Sequence, residues 1–204
     1  MLKKFTGILA FLLICQALVY PVYANAELSE KKRPEVKEPY ELGVEYYWPT
    51  SQDRQIHTIV FNILKRSNYL DDLHITTYAG LTVNYAWGHI LQKDPFGQNI
   101  EYSNSAFGIG PLLHARWSPV TLDDLAFSID ASGGIMLHNR EFPAGGDLYN
   151  FIWRIGPSIS YQVSDKQTFI FGFRMMHVSN AQGLTRGNPA YDATGVSLTV
   201  SSYF

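Results

Sequence analysis

The sequence predicts an all-β protein that closes into an eight-stranded antiparallel transmembrane β-barrel of the bacterial outer membrane, and three observations carry that prediction. From Tyr40 onward apolar residues recur with period two rather than 3.6, so each segment has one apolar face and one small or polar face. Several segments are far longer than the five or six residues usual in a soluble sheet, and suit strands tilted across a bilayer, which need about 9 to 11. The connections alternate in length: 119–124 and 164–166 are tight, whereas 88–102, 139–149 and 180–190 are long, as short periplasmic turns and long outer loops require.

The chain opens with Lys3 and Lys4, an apolar run over 8–19, and Ala24-Asn25-Ala26, the pattern of a secretory signal peptide cleaved after Ala26. The run is shorter than the ~20 residues of a membrane-crossing helix. A lipoprotein reading through Cys15 meets bulky Ile14 where a small residue is expected. Removal of 1–26 takes away the only cysteine, which excludes a disulfide, a thiolate metal site and a cysteine nucleophile. Residues 27–39 are polar and proline-broken, and read as a periplasmic lead-in to a barrel over 40–204. No later stretch is apolar for 18 residues.

The first strands fall at about 40–48 and 56–64. In the third, Leu73, Ile75, Ala79, Leu81, Val83 and Tyr85 oppose His74, Thr76, Gly80, Thr82 and Asn84. The fourth sets Phe107, Ile109, Pro111, Leu113 and Trp117 against Gly108, Gly110, His114 and Arg116. In the fifth, Leu125, Phe127, Ile129, Ile135 and Leu137 alternate with Ser128, Asp130, Ser132, Gly134 and His138. Phe151, Trp153, Ile155, Ile159 and Tyr161 form the apolar face of the sixth. The seventh spans 167–179, and the eighth, 191–204, has an even face of Val196, Leu198, Val200, Ser202 and Phe204. The connection over 65–72 is the exception to the loop rule: it should be a tight turn yet is eight residues long, with room for one helical turn at 67–70.

Apolar faces turned inward would make a soluble lipocalin-type barrel. Against it stand Arg116, Asp130 and Arg154 in mid-strand on the polar faces, which a narrow polar lumen can pair and a dry core cannot. Trp48, Trp87, Trp117, Tyr85 and Tyr161 lie near strand ends, where an interfacial girdle places aromatics. The terminal aromatic Phe204 resembles the signal by which the barrel assembly machinery recognises outer-membrane strands, with Ser202 a weak fit. Both termini then face the periplasm. The sequence allows a homodimer and does not decide the oligomeric state.

Composition narrows the function. With 16 basic against 18 acidic residues and a net charge of −2, nothing recommends nucleic acid as a partner. Closing eight strands leaves an interior filled by its own side chains, so function belongs on a surface. The seventh strand carries it: Phe169, Phe171, Phe173 and Met175 lead on one face to His177 and Ser179, a base and a nucleophile continuing a lipid-facing stripe. Residues two apart on a strand face lie roughly 6.6 to 6.8 Å apart at the backbone, within reach of an imidazole leaning along the strand. His138, His114, His74, His89 and His57 read as lumen or loop residues, and no carboxylate stands at metal spacing from them. No metal or other cofactor is called for.

The constellation of His177-Val178-Ser179-Asn180-Ala181, Asn188-Pro189 and a last strand to Phe204 resembles the outer-membrane lipid A 3-O-deacylase family. The resemblance is close over the C-terminal segment and architectural elsewhere; it departs at Ala190, where the family pattern has glycine. It implies an esterase of lipopolysaccharide in which Ser179 is the nucleophile, His177 its base and Asn180 a contributor to the oxyanion site, with an acidic residue shortly after Asn-Pro as third member. Tyr191 and Asp192 both stand near that place, and parity selects Asp192, which shares the even, outward face of strand eight with Thr194 and Val196. The rival readings are a structural or adhesive barrel with partner-binding loops and an acyltransferase acting on the same lipid.

Overall fold

The computed structural model describes residues 39–93, 96–180 and 189–203. The expected signal peptide over 1–26, nearly all of the expected lead-in, most of the 180–190 connection and Phe204 lie outside them. Eight strands run in chain order: β1 (Tyr40–Pro49), β2 (Arg54–Leu70), β3 (Ile75–Lys93), β4 (Asn99–Leu122), β5 (Leu125–Phe142), β6 (Asp147–Ser164), β7 (Gln167–Ser179) and β8 (Tyr191–Ser202). Each pairs with its neighbour, and antiparallel pairing of β1 with β8 closes the barrel. Closure satisfies every strand edge, which is what allows a sheet to live in hydrocarbon.

The alternation sorts the faces as read. Leu81, Val83, Phe107, Ile109, Leu137, Trp153, Ile155, Phe171 and Met175 are exposed on the outer wall, while Thr82, Asn84, Arg116, Asp130, Arg154 and Arg174 are buried within. Ser202, read as outward, is instead buried where β8 meets both Tyr40 and Gln167. Aromatics gather on the outer wall toward the loop end. Tyr46, His57, Trp87, Tyr85 and Phe107 form a chain of ring contacts, and Trp48 meets Phe173 at 6.3 Å. This placement corrects the reading of His57 as a lumen or loop residue: it lies on β2 opposite Trp87, its Nδ1 2.9 Å from the Tyr46 hydroxyl. His89 likewise belongs to β3, its ring 3.6 Å from Glu101.

Three arginines in a low-dielectric interior are tolerable only if each charge is met, and the lumen meets them as a ladder. Arg116 donates to Glu41 at 2.6 Å and to Asp130 at 2.9 Å. Arg174 spans Asp130 at 2.6 Å and Glu45 at 3.1 Å. Arg154 pairs with Glu45 at 3.1 Å and donates to Asn62 and Thr82. The Tyr47 hydroxyl completes the Glu45 carboxylate at 2.7 Å. Above the ladder an apolar plug of Tyr47, Ile56, Met136, Phe142, Met176 and Tyr191 fills the loop end. Glu45 receives two guanidinium groups and a phenol, so Glu45→Ala should cost about 3 to 5 kcal/mol by stranding buried cations. Urea unfolding in detergent micelles measures it, with Glu45→Gln expected to lose less.

Most strand ends that depart from expectation are longer, whereas β3 starts at Ile75 rather than Leu73 and β8 stops at Ser202. β2 continues to Leu70, and residues 71–74 make the turn, so the helical turn expected at 67–70 is replaced by a 3-10 turn at Asp71–Leu73. A register shift between Arg66 and Asn68 explains the misreading, because an extra residue puts the following alternation out of phase. His74 closes that turn with a left-handed φ of 52°, and Asp123 does so between β4 and β5 at 48°. At the other end β3, β4, β5 and β6 run into what was read as loops 88–102 and 139–149.

Candidate active site

β7 arrives at its loop end with Phe173 and Met175 facing outward, and the same parity turns His177 outward. β8 begins twelve residues after Ser179 and pairs back on β7 in unbroken register, setting Phe173 against Val196, Met175 against Thr194 and His177 directly against Asp192. Directly opposed residues have Cβ atoms about 4.5 to 5.5 Å apart, the span of an imidazole–carboxylate contact. His177 Nδ1 donates to Asp192 Oδ1 at 2.7 Å. The histidine side chain is 29% exposed and the carboxylate 66%, so the acid lies largely in solvent at the barrel rim while the imidazole is partly covered.

Alternation settles the neighbours. Tyr191 is buried in the plug, 3.3 Å from Thr58 Oγ1 and edge-on to Phe142, which anchors the start of β8 and leaves Asp192 facing outward. Thr50, just beyond β1, donates to the Asp192 carbonyl through its hydroxyl at 3.0 Å and its amide at 3.4 Å. The carboxylate therefore sits on backbone tied from both sides. On the other flank Trp153 of β6 is in register with His177, its ring stacked on the imidazole at 5.6 Å and 27°.

Ser179 is the last residue of β7, half-buried and opposite Phe151. Among the described residues no hydrogen bond joins it to His177; it lies one step farther along the same face. Asn180 is turned the other way. Its side chain is buried, and Nδ2 donates to Asp147 Oδ2 at 3.0 Å at the start of β6. The structure thus unites His177 and Asp192, sets Ser179 beside them on one wall, and points the Asn180 amide away from that wall. Ala181 and Asn188 lie outside the described residues. Trp153 and Thr50 are contacts that sequence reasoning did not single out. Among the described residues, no group of three or more His, Cys, Asp or Glu side chains is placed to share a metal ion.

A comparison with protein families matches residues 65–201 to the lipid A 3-O-deacylase (PagL) family. A comparison with curated proteins finds no match. Among solved structures, the outer membrane enzyme PagL is similar at 16% identity and a TM-score of 0.48, over 80% of this chain and 99% of that one. Neisserial surface protein A (NspA) follows at 10% and 0.46, over 82% and 96%. The β domain of the Bordetella autotransporter BrkA aligns at 8% and 0.32, over 82% and 99%. The family match runs from late in β2 to the end of β8, well over half of the chain, and takes in His177, Ser179 and Asp192; the chain belongs to the lipid A 3-O-deacylase (PagL) family.

Proposed function

We propose that this lipid A 3-O-deacylase of the outer membrane cuts its ester by a serine–histidine–aspartate mechanism on the lipid-facing wall of the barrel. The observation that carries the reading is the 2.7 Å His177–Asp192 bond, a polar pair at the head of an otherwise apolar outward stripe. A carboxylate that accepts from Nδ1 leaves the Nε2 lone pair free as a base. Ser179 Oγ attacks the carbonyl carbon of the 3-O-acyl group and passes its proton to Nε2. The carbonyl electron pair moves onto oxygen, and the imidazolium is stabilised by Asp192. Collapse expels the sugar 3-oxygen, which takes the proton back from Nε2. Water then hydrolyses the acyl-Ser179 ester with His177 again as base, releasing a 3-hydroxy fatty acid.

Two features of the site bear on the remaining roles. His177 and Ser179 stand two residues apart on one strand face, a spacing that an imidazole leaning along the strand can bridge, and catalytic hydrogen bonds commonly tighten when substrate binds. With its amide committed to Asp147, Asn180 serves the oxyanion through its backbone N–H, its side chain holding the end of β7 in place. Purified barrel in detergent with lipopolysaccharide should release a 3-hydroxy fatty acid, detected by mass spectrometry, equally well with and without a chelator. Absence of release overturns the reading, and loss on chelation points to a metal-dependent esterase instead.

A further inference from the structure

We propose that Trp153 is a positioning residue for His177, fixing the plane of the imidazole and favouring its protonated form during acyl transfer; this rests on the mechanism above. A hydrogen bond to Asp192 holds Nδ1 at one point and in one direction. It does not by itself stop the ring from turning about that axis, and a turned ring carries Nε2 away from Ser179. The second constraint comes from the opposite strand. Trp153 is the direct cross-strand partner of His177, and its ring lies 27° from coplanar orientation at 5.6 Å.

The imidazole is therefore held on its edge by β8 and on its face by β6. A tryptophan serving only as an interfacial anchor needs no such partner, and Trp153, 44% exposed, keeps area free for lipid while presenting a face to the histidine. An indole face also attracts a cation, so the imidazolium formed when Ser179 gives up its proton gains more from the stack than the neutral base does. The interaction strengthens as the reaction proceeds, and that differential is what lowers a barrier.

The test compares Trp153→Phe, Trp153→Leu, His177→Ala and the unaltered barrel, each in detergent with lipopolysaccharide, with heat-dependent gel mobility reporting folding. Trp153→Leu should lower kcat by about 30- to 100-fold with little change in KM, the scale of a misplaced catalytic group. Loss of imidazolium stabilisation should also move the acid limb of the pH–rate profile to lower pH. Trp153→Phe, which keeps a ring on the imidazole, should recover most of the rate and return the limb. A folded Trp153→Leu barrel with raised KM, normal kcat and an unmoved limb would make Trp153 a substrate contact and overturn the inference. Failure of Phe to rescue would do the same. Full activity in His177→Ala would instead remove the underlying mechanism, which separates the two failures.

Discussion

Ser179→Ala should leave a folded barrel that releases no measurable fatty acid, an expected loss in kcat of about a millionfold if the serine acts as nucleophile. The substitution removes one oxygen from a half-buried side chain at the end of β7, a position outside the buried ladder and plug, so heat-dependent gel mobility should be unchanged. Because nucleophile and base act as a unit, the double variant with His177→Ala should be no worse than either alone. Undiminished turnover in Ser179→Ala would end its candidacy and move the search for a nucleophile elsewhere.

Asp192→Asn should cost about 10⁴ in kcat, with KM nearly unchanged. An amide in place of the carboxylate can present N–H to Nδ1, which stabilises the tautomer with its proton on Nε2, the wrong nitrogen for accepting from Ser179. The lost negative charge also disfavours the imidazolium formed during acylation. Stability should hardly move, since the carboxylate is largely solvated and its backbone carbonyl keeps both bonds from Thr50. Activity within a fewfold of the parent would leave a serine–histidine dyad.

What the sequence made legible follows from where water lies. Within the hydrocarbon zone one face must be apolar and the other polar, and there period two identifies strands and faces, down to Tyr191 turning inward and Asp192 outward. β7, bounded by a two-residue turn and the rim, matches its expected span of 167–179. Beyond that zone both faces can meet water, the ladder of hydrogen bonds continues, and nothing in residue type marks it; β3 through β6 therefore outrun their expected ends. Asn180 was assigned by resemblance, whereas its parity with Val178 already turned its side chain inward.

Pairings across the barrel were out of reach. Arg116, Asp130 and Arg154 were readable as buried charges, but Glu41 and Glu45, the partners of Arg116 and Arg154, sit on β1, which meets them only across the closed lumen. The partner of Trp153 depends on a single residue of register. Counting back from the Asp165–Lys166 turn sets it against Val178, and the shift between Gln162 and Ser164 moves it onto His177.

The filled lumen has a consequence for the membrane that hosts it. With Arg116, Arg154 and Arg174 locked to three carboxylates and the plug seated above them, the described side chains close the interior to a wide water column. Many copies can then crowd a bilayer without raising its conductance or letting small solutes seep through. If the ester is cut at the wall as proposed, its products should depart sideways, along the plane of the leaflet.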